Sequence, residues 1–182
     1  DLVMCTHLHV DHVGWNTMLV DGEWIPTFPT ARYLIAEKEW TYWNENENED
    51  LYGPVISDSV RPVVDAGLVD FVDENYSLCD EVSLSPTPGH TPGHVSVLIN
   101  SKKKRALITG DFIHHPVQMT NTDWCSPADY DKKQAQLTRE TILEKYVNQD
   151  ILIIGTHFAR PTAGYIKYFD GGGYWLDIES AK

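Results

Sequence analysis

Four strand-like runs in this chain each carry a histidine or an aspartate at or just beyond an end, and that repetition constrains the fold more than any other feature. The first run, Leu2-Val3-Met4-Cys5, leads into Thr6-His7-Leu8-His9-Val10-Asp11-His12, with three histidines and one aspartate in six positions. A short apolar run bounded by polar residues predicts a buried strand. The second stretch, Pro86-Thr87-Pro88-Gly89-His90-Thr91-Pro92-Gly93-His94, sits between a strand expected over 82–85 and another over 95–99. The third is Ala106-Leu107-Ile108-Thr109-Gly110-Asp111, and the fourth is Ile151-Leu152-Ile153-Ile154-Gly155-Thr156-His157. Imidazole and carboxylate groups gathered at strand ends are the donor set of Zn²⁺ and related divalent ions.

Within the first stretch, an extended backbone would point His7, His9 and Asp11 the same way, because alternate strand residues share a face. A turn at Val13-Gly14 would then bring in His12. His94, at the mouth of its strand, is the expected ligand of the second stretch. His90 is either a further ligand or a residue that holds the loop by hydrogen bonds. Asp111 falls at the carboxyl end of its strand and is followed by Phe112-Ile113-His114-His115-Pro116. Two adjacent histidines do not face one centre from regular structure, so at most one of His114 and His115 is expected to approach the site. Five histidines (His7, His9, His12, His94, His157) and two aspartates (Asp11, Asp111) suffice for two ions. Two carboxylates and one hydroxide would leave a small positive charge, suited to the anion that develops in acyl or phosphoryl transfer.

Between these stretches the pattern predicts a structured loop around Trp24-Ile25-Pro26 and Phe28-Pro29, a strand over 31–36 and a helix over 37–43. A polar loop or frayed end follows over 44–50. A helix capped by Ser57-Asp58-Ser59 should run through Val64 and end near Gly67, before a strand over 68–72. Trp15, Trp24, Phe28, Trp40, Tyr42, Trp43 and Tyr52 either wall an apolar pocket or pack on a sheet, and packing is the default for aromatics. A helix over 131–148 carries the apolar stripe Ala135, Ile142, Leu143, Tyr146 and Val147. Strands over 163–169 and 174–178 flank Gly171-Gly172-Gly173 as a closing hairpin.

The net charge of -13 argues against nucleic-acid backbones and anionic membrane surfaces as partners. The one basic cluster, Lys102-Lys103-Lys104-Arg105, lies between apolar runs and reads as a hairpin turn. Three cysteines, with no CxxC pair, imply buried thiols and a reducing compartment, so the cytoplasm is the expected location. No apolar run reaches membrane-span length. The chain opens on Asp1 and enters a core strand at once, so it reads as a fragment.

His7-x-His9-x-Asp11-His12, followed in order by His94, Asp111 and His157, resembles the ligand signature of the metallo-β-lactamase-fold superfamily of metal-dependent hydrolases. The likeness spans nearly the whole chain. Gly89-His90-Thr91-Pro92-Gly93-His94, Gly110-Asp111 with His114-His115-Pro116, and Thr156-His157-Phe158 with Pro161-Thr162-Ala163-Gly164 are similar to its lactonase and organophosphate-hydrolase-like branch. The resemblance implies an α+β fold, the αββα sandwich, as a single domain over 1–182 that lacks the first part of its N-terminal sheet. An exposed sheet edge would be the consequence.

The resemblance further implies that His7, His9 and His94 hold one ion, that Asp11, His12 and His157 hold the other, and that Asp111 bridges them. The two ions would lie roughly 3.5–4 Å apart. A hydroxide between them would attack an ester, lactone or phosphotriester bond, and Asp11 would pass the proton to the leaving oxygen. His114 stands three residues past Asp111, where acyl-homoserine lactonases of the superfamily carry a substrate-contacting tyrosine. That departure leaves lactone specificity open, and His114 is expected to donate a hydrogen bond to the substrate. Zinc is the expected metal, with manganese, iron or cobalt admissible. The partner is a small-molecule substrate, and the family likeness suggests a homodimer. True β-lactamases commonly carry cysteine at the Asp111 position, and flavin-linked diiron relatives usually carry glutamate at the His9 position. Two rival readings stand beside a hydrolase: a thioesterase of the same superfamily and a catalytically silent metal-binding or interaction fragment.

Overall fold

The computed structural model describes residues 1–46 and 53–180. The chain divides into two compact units, Asp1–Glu74 and Asn75–Lys182, each with its own sheet and core.

In the first unit, β1 (Leu2–Met4) runs into a short loop and a single helical turn, α1 (Val10–Val13). Next come β2 (Thr17–Val20), β3 (Glu23–Pro26) and β4 (Arg32–Ala36). Helix α2 (Glu37–Glu45) follows, then a π-helical turn (Ile56–Val60) that continues into α3 (Arg61–Asp65), and β5 (Val69–Val72). Strands β1, β4 and β5 form a parallel sheet in the order β1-β4-β5. Parallel neighbours need long crossovers, usually helical, and α2 and α3 supply that between β4 and β5. Cys5, Leu8, Val13, Ile35, Trp43, Ile56 and Val60 are buried together as the core.

Several local expectations change here. Trp24-Ile25-Pro26 belongs to a strand, not a loop: β3 pairs antiparallel with β2 across Asp21-Gly22. Both turn residues have positive φ, 51° and 87°, as a two-residue hairpin of the primed type requires. The helix expected to start from a Ser57-Asp58-Ser59 cap is already helical at Ile56, and no side chain caps it. Ser57 Oγ instead donates to the Pro54 carbonyl at 3.2 Å. Gly67 does end the segment, at φ 69°. Asn44 and Glu45 complete α2, and the rest of the expected polar stretch, 47–50, lies outside the described residues. Of the aromatics, Trp43 is buried, whereas Trp15, Trp24 and Phe28 face outward, and Tyr52 lies outside the described residues.

Cys5 is buried as expected, but Cys79 is exposed and Cys125 is half-buried. Burial pushes the Cys5 thiol up to about 11, against the opposing hydrogen bond with Asn16. At pH 8 its thiolate fraction is then only about one in a thousand, and the thiolate is the reactive form. Iodoacetamide at that pH is expected to label Cys79 and leave Cys5 untouched in the native protein, as read by peptide mass spectrometry. Equal labelling of both would show that the first unit's core opens on the labelling timescale.

The second unit is a six-stranded sheet. Its strands are β6 (Val82–Pro86), β7 (Val95–Ser101), β8 (Lys104–Ile108), β9 (Leu152–Ile154), β10 (Ala163–Tyr168) and β11 (Tyr174–Asp177). They lie in the order β11-β10-β9-β8-β7-β6, with β8 and β9 parallel and the other pairs antiparallel. Lys102 and Lys103 form the β7–β8 turn with φ of 48° and 66°. The β8-to-β9 crossover holds α4 (Val117–Thr120) and α5 (Lys132–Tyr146). Asp131 caps α5 by accepting from the Lys133 and Gln134 N–H groups, and Ala135, Ile142, Leu143 and Tyr146 are buried along it. Leu107, Phe112, Ile113, Ile151, Ile153, Ile166 and Leu176 complete this core. Among the described residues no helix is long and apolar enough to cross a membrane.

Candidate metal centre

Sheet register sets the cluster of candidate ligands in the second unit. Ile108 of β8 stands level with Ile154 of β9 in their parallel pairing. Asp111 and His157 each follow three residues later, so the two side chains leave the sheet side by side. His157 Nε2 lies 3.0 Å from Asp111 Oδ2. Gly110, at φ 56°, lets the chain turn at that point. The turn also carries His114 back, and its Nε2 is 3.3 Å from the same oxygen. His90 Nε2 approaches that oxygen at 3.5 Å. Three imidazoles therefore converge on one carboxylate that is only 3% exposed. His90, Asp111 and His114 place their donor atoms within 4.8 Å of one another. His114 and His157 stack, with ring centroids 5.5 Å apart.

The loop over 86–94 is docked on α5, which explains why His90 points where it does. Gly89 has φ 128°, and a Cβ there would lie 2.3 Å from the Ala135 backbone nitrogen, so only glycine fits. The Asp131 N–H donates to the Gly89 carbonyl at 2.9 Å and the Tyr130 N–H to the His90 carbonyl at 3.0 Å. His90 Nδ1 donates to Asp129 Oδ1 at 2.8 Å, both residues being buried. The Ser126 N–H donates to the other Asp129 oxygen, also at 2.8 Å. Burial pushes the Asp129 carboxyl up, but the hydrogen bonds from His90 and the Ser126 backbone outweigh it and hold the group below the usual carboxylate range. A carboxylate on Nδ1 fixes the neutral tautomer with Nε2 bare, which is the arrangement common behind metal-binding histidines.

His94 does something different, and the expectation that it is this loop's ligand needs correcting. Ser96 Oγ donates to the Thr109 carbonyl at 2.8 Å, so it accepts from Thr87 Oγ1 at 3.0 Å. Thr87 has then spent its proton and accepts from His94 Nδ1 at 2.8 Å. That leaves His94 Nε2 as an acceptor, and the Asp111 backbone N–H donates to it at 2.7 Å. Both ring nitrogens are thus used within the protein, and His94 acts on the backbone that carries Asp111. The structure turns His90, not His94, toward the Asp111 side chain.

In the first unit, the chain over 6–12 does not continue as a strand. Cys5 N–H bonds the Leu34 carbonyl, the backbone then leaves the sheet, and α1 starts with His9 as its N-cap. Asp11 and His12 therefore sit on a helical turn, and strand alternation does not align His7, His9 and Asp11. The side chains still gather: the His7 ring lies 4.8 Å from His9 and 4.0 Å from His12 between centroids. Asp11 Oδ2 lies 3.5 Å from His12 Nε2. Glu39, buried on α2, fixes this loop by accepting from the Leu8 N–H at 3.1 Å and from Trp43 Nε1 at 2.8 Å. Sequence reasoning missed Glu39 and Asp129. A Glu39/Trp43 pair one helical turn apart was the available signal for the first; Asp129 carries none.

Close-packed imidazoles and one buried carboxylate form a donor set that fits a divalent cation of the zinc type. Asp129→Asn tests the His90 arm. The Ser126 N–H demands an oxygen, so the amide NH₂ would face His90 Nδ1 and push the ring proton to Nε2. Metal affinity is expected to fall about 10–100-fold, the range for a lost carboxylate behind a histidine ligand. Competition with a chromophoric chelator measures it, and an unchanged affinity would refute the tautomer argument.

A family model described as the metallo-beta-lactamase superfamily matches residues 1–164. Among curated proteins, a probable metallo-hydrolase, YybB, of Bacillus subtilis (strain 168) is 28% identical over 131 residues, covering 66% of this chain and 52% of that protein. An N-acyl homoserine lactonase of Bacillus sp is 28% identical over 106 residues, covering 58% of this chain and 35% of its own. Among solved structures, the hydrolase AbOPH, of the beta lactamase superfamily, superposes with a TM-score of 0.83 at 25% identity, covering 98% of this chain and 64% of that one. AidC, a dizinc quorum-quenching lactonase, superposes with a TM-score of 0.77 at 22% identity, covering 97% of this chain and 63% of that one, which speaks for the fold alone. The chain thus spans about half the length of the first of these curated relatives and about a third of the second.

Proposed function

The chain belongs to the metallo-beta-lactamase superfamily, and on that premise we propose that it is a metal-dependent hydrolase with a binuclear centre that cleaves an ester, lactone or phosphotriester bond. The observation that carries the reading is the convergence of His90, His114 and His157 on one oxygen of Asp111. The family match runs over residues 1–164, which supports reading the chain as a single domain. In this proposal His7, His9 and His90 hold one ion, Asp11, His12 and His157 hold the other, and Asp111 is shared. His90 replaces His94 in the set because His94 has both ring nitrogens bonded within its own unit. Zinc is the metal of choice, and the chemistry it supplies is Lewis-acid polarisation of a carbonyl or phosphoryl oxygen and acidification of water.

The protein's own groups do the rest. In this reading Asp11, exposed on α1, carries a proton to the leaving oxygen. His114 is the proposed substrate-side donor. Its Nδ1 is buried with no hydrogen-bond partner among the described residues, and its backbone N–H is anchored by Gln118 Oε1 at 2.7 Å. A homodimer and a cytoplasmic location remain part of the reading.

Elemental analysis after exhaustive dialysis, followed by a panel of aryl esters, lactones and phosphotriesters, tests it. About two equivalents of a divalent ion and turnover of one class are expected. Two equivalents with no turnover anywhere in the panel would favour the silent metal-binding fragment instead. His90→Gln is expected to lower metal content, while His94→Gln is expected chiefly to lower thermal stability; the reverse outcome would restore His94 as the ligand.

A further inference from the structure

A surface groove of about 480 Å³ lies within the second unit, and two of its walls are segments that follow His114 and His157 in the chain. One wall is the segment leaving His114, namely His115, Pro116 and Val117; another, leaving His157, includes Arg160; Trp175 and Ile178 also line it. His114 and His157 are the stacked pair on Asp111, so the segments that wall the groove are anchored next to that pair along the chain. Its volume is within the range of roughly 300–1,000 Å³ typical of small-molecule sites.

The lining is mostly apolar; Thr120 Oγ1 is engaged with the Tyr174 carbonyl at 2.9 Å, and two other polar groups, Arg160 and His115, face a ligand's chemistry. Trp175 and Val117 remain 45% and 39% exposed, so the groove offers apolar surface to a ligand. Arg160 has no hydrogen-bond or ion-pair partner among the described residues. In a chain with 27 acidic and 14 basic residues, a solitary guanidinium is out of character. The other arginines are all engaged: Arg32 with Asp70, Arg61 over Trp40, Arg105 with the Asp150 carbonyl and Arg139 with the Phe112 carbonyl. The second group is His115. Its Nδ1 accepts the Val117 N–H at 3.0 Å, so the neutral ring carries its proton on Nε2 and is a donor there.

We propose that this groove holds the non-reacting part of the substrate, an apolar body ending in a carboxylate, with Arg160 reading the charge and His115 adding a hydrogen bond. The proposal rests on the hydrolase reading for its link to turnover, but the binding itself can be measured without it. A guanidinium fork matches a carboxylate in shape as well as charge, and the apolar lining would take a short alkyl or aryl chain.

Calorimetric titration of the metal-loaded protein with octanoate and with octanol is the direct test. Octanoate is expected to bind at least about tenfold more tightly, the size of one partly exposed charge-assisted hydrogen bond. Arg160→Gln is expected to erase that preference, and Trp175→Ala to weaken both ligands together. The ratio of kcat/KM for mono-4-nitrophenyl suberate over 4-nitrophenyl octanoate should fall about tenfold in Arg160→Gln, through KM. Equal binding of octanoate and octanol would overturn the proposal. So would an octanoate preference that survives Arg160→Gln, since the carboxylate would then be held elsewhere. If no ester is turned over while octanoate binding still depends on Arg160, the hydrolase reading fails and the carboxylate site stands.

Discussion

Replacing Asp111 with alanine is expected to lower turnover by on the order of 10³-fold or more and to drop the bound metal from about two equivalents to one or fewer. Loss of an outer partner behind a metal ligand already costs about 10–100-fold, and Asp111 is proposed as the ligand shared by both ions. Its carboxylate has three imidazole nitrogens within 3.5 Å. Without it, His90, His114 and His157 would lose the one carboxylate on which they converge. Asp111→Asn is the finer instrument: it keeps size and one oxygen but removes the charge, so it should retain more stability than alanine while losing nearly as much activity. Elemental analysis and single-turnover kinetics on both variants check this. If Asp111→Ala keeps its metal and its rate, the centre does not lie where Asp111 is. If it loses metal and no wild-type activity has been found on any ester, the site is structural.

Strand ends were the legible part of this chain. Apolar runs that stop at Asp111 and His157 place both residues beyond paired strands, and the β8–β9 register brings them together. The Asp131 cap and the stripe along α5 were equally plain. What the sequence could not settle was which of two histidines four residues apart faces the carboxylate. That choice depends on Gly89 lying against the Ala135 backbone and on Asp129, 39 residues from His90, holding Nδ1. The buried relay from Thr109 through Ser96 and Thr87 to His94 is likewise assembled from three separate strands or loops. The β2–β3 hairpin is a different case. Asp21-Gly22 between Thr17-Met18-Leu19-Val20 and Glu23-Trp24-Ile25 is a strong local turn signal. Outward-facing Met18, Leu19 and Val20 also depart from the half-buried alternation by which strands are usually found.

Arg139→Ala is expected to destabilise the second unit by about 3–5 kcal/mol, the largest stability effect of a single change away from the metal ligands. Arg139 is fully buried on α5, in line with Ala135, Ile142 and Leu143. A cation in an apolar stripe must be paid for by hydrogen bonds, and these are present: Nη1 donates to the Phe112 carbonyl at 2.8 Å, Nε to the Thr122 carbonyl at 3.1 Å and Nη2 to Cys125 Sγ at 3.2 Å. Alanine would leave buried acceptors unmatched, at about 1–3 kcal/mol each, and open a cavity besides. Arg139→Met fills most of the volume and should recover only the cavity part. Arg139→Lys keeps the charge but cannot span three acceptors from one fork, so it should fall between Met and wild type. Urea unfolding reads the series as midpoint shifts at constant slope. Phe112 directly follows Asp111, so Arg139 also fixes the segment that delivers His114, and kcat should fall along the same series. A loss under about 1 kcal/mol for alanine would mean that those carbonyls find other donors, and the anchoring role would then pass to Asp131 and the Gly89 contact.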